Sequence, residues 1–306
     1  MTQAILGSNG QIGQELAKEL NRNYTKDIRL VSRHPKKINE DDTLVPANLT
    51  NYDQTLKAVK GSQIVYFTAG LPMDGKIWHR DFPTMLNNVV RACEQTGAKL
   101  VFFDNTYMYP KNNEIQTEQM QYSPKGLKSE VRSKMASQIE ELMTSSDLDT
   151  MICRAPEFYG PGKTQSITNT MIFNRIKRDK KALIPLSADK LRTLIWTPDA
   201  SRAMALLANT ASAYNQTWHL PVDRPLTYQQ LIEAIKDVTG GKVSYRVLPY
   251  WIFQFGSHFS KSVKELMELL PRYAEDNIFS DAKFRNAFPN FKVTTIQEGI
   301  AKIFEQ

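Results

Sequence analysis

Apolar residues in this chain fall into short runs separated by polar stretches with helical spacing. Ala4-Ile5-Leu6, Ile28–Val31, Leu44–Asn48, Gln63–Thr68, Lys99–Phe103 and Leu148–Arg154 are compact apolar or β-prone runs, which read as buried strands. Between them lie helical patterns such as Glu15–Leu20 and Phe82–Thr96; in the latter, Leu86, Val89, Val90 and Cys93 share one face. Strands alternating with helices predict a Rossmann-type α/β fold, a doubly wound parallel sheet that takes ligands at the carboxyl ends of its strands. The second half is more mixed. Asn169–Arg178 predicts a helix, Leu191–Trp196 a strand, and Thr227–Thr239 an amphipathic helix capped by Thr227. Trp251–Leu270, rich in Phe, Leu and Met with Lys261 and Lys264 interleaved, reads as a lobe helix packing on the sheet, with a membrane-surface or dimer helix as alternatives. The domain expectation is a nucleotide-binding domain over 1–154. Residues 155–306 partly return to the sheet and form a smaller C-terminal substrate lobe.

The first strand runs directly into glycines at 7, 10 and 13, and a helix follows. Gly7 can leave the strand with unusual backbone angles, Gly10 lets a pyrophosphate approach, and Gly13 allows helix and strand to pack closely. The helix N-terminus then directs N–H groups and a partial positive charge at the phosphates. Gly7, Asn9, Gly10, Gln11, Ile12 and Gly13 are therefore candidate dinucleotide contacts. After the second strand comes Ser32-Arg33-His34-Pro35-Lys36-Lys37, with no Asp or Glu to bind a ribose 2′-hydroxyl. Arg33 is placed to take a 2′-phosphate instead, so NADP(H) is expected over NAD(H).

The G-x-x-G-x-x-G spacing resembles the short-chain dehydrogenase/reductase superfamily, in its extended branch of NAD(P)-dependent epimerases and dehydratases. Arg154 followed by Ala155-Pro156-Glu157-Phe158-Tyr159-Gly160-Pro161-Gly162 is close to that branch's Arg-x-x-x-Val-Tyr-Gly-Pro-Gly. Thr197–Ala203 resembles its helix-opening Val-x-Asp-Val-Ala-x-Ala, with Asp199 as a first-turn cap. The resemblance implies that Asn48 and Leu49 lie beside the adenine and that Ala69 and Gly70 let the dinucleotide pass. It also implies catalytic positions, and there the sequence departs. Asp104–Pro110 is similar to the family's Ser-Ser-x-x-Val-Tyr-Gly, but Asn105 stands where Ser or Thr is usual. An amide still donates a hydrogen bond, though it cannot relay a proton as a hydroxyl does. Glu130–Ala136 is similar to the Tyr-x-x-Ser-Lys stretch, placing Lys134 on the nicotinamide ribose and Glu130 where the tyrosine belongs. A carboxylate, with an ordinary pKa of about 4.3 against about 10 for a phenol, is a much weaker base. Glu130 is thus expected to orient Lys134 or lie outside the site, leaving proton transfer to Tyr107, another group of the substrate lobe or the substrate itself. Tyr107–Lys111 and Tyr159–Lys163 match Tyr-x-x-x-Lys, but Pro110 and Gly160-Pro161-Gly162 keep both from being helical. These departures resemble an atypical sub-branch of the superfamily.

Composition changes the picture little. With 41% hydrophobic and 23% charged residues the chain is ordinary for a globular protein. Two cysteines imply no disulfide framework and suit the cytoplasm, in keeping with the lack of a signal-peptide pattern. The +7 formal charge is scattered, which argues for phosphorylated small molecules over nucleic acid. His219 has no companion ligands, so it reads as structural and no metal site is expected. No apolar run reaches the length of a membrane span, so no membrane partner is expected either, and a homodimer stays open. The function expected is an NAD(P)-dependent oxidoreductase or epimerase acting on a carbonyl- or hydroxyl-bearing, sugar-like molecule. The alternatives are a non-catalytic NADP(H)-binding sensor and, third, a nucleic-acid-associated scaffold.

Overall fold

The structure, a computed structural model, describes residues 1–162, 164 and 166–305. The chain divides into two units. One comprises Met1–Asn105, Leu127–Ala155 and Ala200–Leu220, the other Thr106–Gly126, Pro156–Asp199 and Pro221–Gln306.

The first unit is built on β1 (Gln3–Leu6), β2 (Ile28–Ser32), β3 (Thr43–Pro46), β4 (Ile64–Phe67), β5 (Lys99–Asp104) and β6 (Thr150–Arg154), joined by the strand Gln216–His219. These seven strands form one sheet in the order Gln216–His219, β6, β5, β4, β1, β2, β3. Every pairing is parallel. The strand order reverses between β1 and β4, which makes their carboxyl ends the switch point where such sheets bind ligands. β1, β4 and β6 are buried along their whole length, because helices cover both faces of a parallel sheet. The helices are α1 (Gln11–Asn23), α2 (Tyr52–Val59), α3 (Gly75–Thr96) and α4 (Leu127–Ser145). Asn51 caps α2 by accepting from Gln54 N–H. α3 starts seven residues before the expected Phe82, since the Asp74 carboxylate accepts from the N–H groups of Lys76 and Ile77 and opens an earlier turn. Pro83 is carried inside it.

In the second unit, Glu157–Tyr159 pairs in parallel with Leu194–Trp196, and Leu191–Arg192 pairs antiparallel with Leu226–Thr227. The single strand expected over Leu191–Trp196 is therefore two. Thr193 divides them, donating its N–H to Asn277 O and accepting from Phe279 N–H on its hydroxyl. Asn169–Phe173 winds as a π-helical turn before a short α-helical one. The helix Tyr228–Thr239 carries the expected cap as a full capping box of Thr227 and Gln230. Tyr159, Phe173, Trp196, Leu231, Ile232 and Ile300 belong to its apolar core. Trp251–Leu270 is not one packed helix. It breaks into Tyr250–Gly256 and Lys261–Leu266, the second capped by Ser260, and leaves several aromatics in water.

Candidate functional site

The glycine turn sits at the switch point. Gly7 leaves β1 at φ +98°, a conformation open to glycine and strained for other residues. Its N–H donates to Val31 O at 2.8 Å, which fastens the turn to β2. A methyl group on Gly7 would lie 2.4 Å from Ala69 Cα, and one on Gly13 would lie 2.8 Å from Gly7 O and 2.9 Å from Ser8 Cα. Only bare backbone lets the β1 exit, the β4 exit and the first turn of α1 meet so closely. The N-cap of α1 is Gly10, which supplies no side-chain hydrogen bond, and no acidic residue follows in the first turn. The Ser8 hydroxyl is buried without a partner. An uncapped helix N-terminus, an orphaned hydroxyl and a backbone cradle together fit a pyrophosphate.

The other candidate dinucleotide residues belong to the same unit as this turn. Asn9 binds the next loop with both polar atoms, donating to His34 O at 2.7 Å and accepting from Lys36 N–H at 3.2 Å. It thereby holds the turns after β1 and β2 together. Gln11 is half-buried and Ile12 buried at the start of α1, while Arg33, Lys36 and Lys37 are exposed beyond β2. Asn48 accepts from Thr50 N–H at 3.2 Å and from its hydroxyl at 3.0 Å. Leu49 is buried, and its carbonyl accepts from Asn88 at 2.9 Å. Gly70 is exposed with open space where a side chain would be.

At the carboxyl end of β5, Asp104 is fully buried and pairs with Arg154 at 3.1 Å and with Arg132 at 3.6 Å. Arg132 comes from α4 and lies over the rings of Phe82, Trp78 and Phe102, with 4.7 Å to the first. Lys128, one turn earlier, is buried on the same face. Glu130 and Lys134 form the opposite pair, and α4 turns both to solvent. The one-turn spacing that singles out Lys134 in the sequence is shared by Lys128 and Arg132, and burial is what separates the pairs.

Asn105, half-buried, ends the first segment of the first unit, and Tyr107 belongs to the second unit. Tyr107 helps to line a small cavity with Thr106, Tyr109, Gln116, Arg272 and Asn277. The Arg272 guanidinium carbon lies 5.6 Å from the Tyr107 ring centre. Gln116 Oε1 and Arg272 Nε are buried with no hydrogen-bond partner. Behind them is a polar cluster that sequence reading misses. The Glu157 carboxylate accepts from Arg192 at 3.2 Å, Arg272 at 3.1 Å, Tyr273 at 3.0 Å and Thr168 at 2.6 Å. Burial pushes its carboxyl up, but the guanidiniums of Arg272 and Arg192, with the two hydroxyls, outweigh burial and hold it below the usual range. One signal is present in the sequence: Arg192 and Glu157 each interrupt an apolar strand.

Tyr159 stands in a strand, and burial, with Asp199, Asp223 and Glu298 adding to it, pushes its phenol up, so it is no base. Lys163, its nominal partner, falls outside the described residues. Asp199 accepts from Thr294 N–H and hydroxyl in addition to standing in a first helical turn. His219 is fully buried at the end of its strand. Among the described residues no group of His, Cys, Asp and Glu is arranged to hold a metal ion, and no helix is long and apolar enough to cross a membrane.

The family model for the NAD dependent epimerase/dehydratase family matches residues 4–219, from within β1 to the end of the strand Gln216–His219. The chain belongs to that family. The match takes in the glycine turn and α4 and all of the first unit but Met1–Gln3 and Leu220, together with Thr106–Gly126 and Pro156–Asp199 of the second. Among curated proteins, an uncharacterized protein y4nL of Sinorhizobium fredii is 26% identical over 155 residues, which is 48% of this chain and 42% of that protein. The matched region thus spans less than half the length of that relative. Solved structures reproduce the fold at low identity. UDP-glucuronic acid 4-epimerase from Bacillus cereus, in complex with NAD, superposes with a TM-score of 0.82 at 13% identity, covering 100% of this chain and 98% of that one. UDP-glucose 4-epimerase from Thermus thermophilus, also in complex with NAD, gives 0.79 at 16% over the same shares. UDP-N-acetylglucosamine 4-epimerase from Methanobrevibacter ruminantium, in complex with UDP-N-acetylmuramic acid, gives 0.78 at 15%, covering 99% and 98%.

Proposed function

We propose that this protein binds a nicotinamide dinucleotide, NADP(H) in preference to NAD(H), along Gly7–Gly13 and acts on a sugar nucleotide by epimerase-type chemistry. The observation that carries the reading is the backbone cradle at the switch point, with its uncapped helix and the buried, partnerless Ser8 hydroxyl. When bound, the nicotinamide would supply reversible hydride acceptance, so epimerisation leaves no net change in oxidation state. Ser8 and the first turn of α1 would hold the pyrophosphate, Arg33 the 2′-phosphate, and Asn48 and Leu49 would flank the adenine. Ala69 and Gly70 would leave room for the dinucleotide to pass.

For the nicotinamide ribose, burial at the carboxyl end of β5 favours Arg132 and Lys128 over the exposed Lys134. Asn105 would donate to a substrate hydroxyl or carbonyl, and Tyr107 would exchange its proton. Charge in the second unit supports an anionic substrate: two arginines against one glutamate leave the Glu157 cluster with one positive charge in excess. Arg272 carries that charge to the cavity shared with Tyr107.

Incubation with dinucleotide and UDP-glucose, UDP-glucuronic acid or UDP-N-acetylglucosamine should yield C4 epimers, read by proton NMR. Tyr107→Phe should slow turnover on the order of a hundredfold, whereas Glu130→Gln and Lys134→Ala should stay within roughly tenfold. A collapse of turnover in Glu130→Gln with cofactor binding intact would overturn the proton-transfer assignment. Tight dinucleotide binding with no turnover would leave a non-catalytic sensor, which the comparisons do not support.

A further inference from the structure

Four aromatic side chains of the second unit project into water: Tyr250, Trp251, Phe255 and Phe259 are 49%, 64%, 65% and 78% exposed. Trp251 and Phe255 are one turn apart on the helix Tyr250–Gly256 and so share a face. The rings of Phe255 and Phe259 touch, with centroids 5.1 Å apart, which extends the face beyond the helix. Phe253, on the opposite side of that helix, is buried and anchors it. The patch is therefore presented by fixed structure. Single exposed apolar residues are ordinary, but a contiguous aromatic group marks a surface that something covers.

The charges of the segment that carries it say what. From Gly240 to Lys264 the chain carries Lys242, Arg246, Lys261 and Lys264 and no Asp or Glu. All four basic residues are exposed, and the next acid, Glu265, is half-buried. Two copies meeting through this face about a two-fold axis would set like charges against like. An anionic lipid surface suits both halves of the pattern. Trp and Tyr rings favour the headgroup level, Phe the acyl boundary, and lysine and arginine the negative headgroups. We propose that this face, centred on Trp251, Phe255 and Phe259, is a peripheral docking surface for an anionic phospholipid membrane. Such a surface lies on the bilayer without crossing it. Composition alone leaves the stretch open between a packed helix and a surface one; the exposure that decides arises where Trp251–Leu270 breaks into two short helices.

The full chain should be sedimented with vesicles of phosphatidylcholine alone and of phosphatidylcholine mixed with phosphatidylglycerol. Trp78, Trp196 and Trp218 are buried, so a blue shift of tryptophan emission on mixing reports Trp251. The expected result is cosedimentation with the anionic vesicles, a blue shift, and weakening by salt. Replacing Trp251, Phe255 and Phe259 together by Ser should weaken binding by roughly tenfold or more while leaving thermal unfolding unchanged. Lys261→Gln with Lys264→Gln should lower binding to the anionic vesicles alone, on the order of tenfold. Absence of both cosedimentation and blue shift, or equal binding by the triple variant, would overturn the proposal. So would a wild-type dimer that the triple variant turns into a monomer, which would give the face to a second copy.

Discussion

Gly7→Ala should abolish dinucleotide binding and destabilise the first unit by about 3 kcal/mol or more. Two costs combine. A side chain at φ +98° is strained by roughly 1–3 kcal/mol. The new methyl would also stand 2.4 Å from Ala69 Cα, a backbone atom of the neighbouring strand exit that cannot swing aside, and overpacking of this kind adds a similar amount. Gly10→Ala is the informative contrast. Its φ is −72° and its methyl would meet only Gly7 O, at 3.2 Å, so it should unfold far less easily while still obstructing the phosphates. Chemical denaturation and dinucleotide titration of both variants separate fold from binding. A Gly7→Ala protein as stable as the wild type would contradict the close-packed turn.

Glu157→Gln should cost the second unit about 3–5 kcal/mol, the range seen when one partner of a buried ion pair is removed. The substitution keeps the shape and some hydrogen bonds but leaves the guanidiniums of Arg192 and Arg272 buried with no counter-charge. The same cluster sets an acid limit. The folded carboxyl titrates below its unfolded value, so its contribution is complete above about pH 4.3 and is lost as pH falls from there through the depressed folded value. Wild-type stability should therefore drop on acidification through that window, and the Glu157→Gln protein, already weakened, should drop less. Urea midpoints measured across the acid range check both points. Parallel acid limbs in the two proteins would show that Glu157 is not the group responsible.

Legibility in the sequence differs by element. The parallel sheet is legible, because strands buried on both faces must be apolar throughout and Ala4–Leu6 and Ile64–Phe67 are so. The glycine turn is legible too, since the need for a missing Cβ is written directly as Gly7 and Gly13. The start of α3 is not, as Pro83 points to a helix beginning near Phe82 while the Asp74 cap lies further back. Side-chain direction on α4 is beyond a motif match. The stripe Val131, Met135 and Ile139 marks the buried face and Lys128 and Arg132 flank it, but a Tyr-x-x-x-Lys match reads spacing alone and selects Glu130 and Lys134. The Glu157 cluster is hidden for a different reason. Its members are far apart in sequence, with Arg272 115 residues from Glu157, and only the folded chain brings them together.

A nicotinamide dinucleotide lying along Gly7–Gly13, with its ribose end toward Arg33, is central to the function proposed. Isothermal titration calorimetry of NADPH and NADH against the wild type and Arg33→Ala tests it most directly. The prediction is that both nucleotides bind the wild type, NADPH roughly tenfold or more tightly, as a charge-assisted contact to the 2′-phosphate provides. Arg33→Ala should bring the two affinities together by weakening NADPH alone. Equal affinities in the wild type would contradict the role given to Arg33, and no binding of either nucleotide would contradict the cofactor site itself.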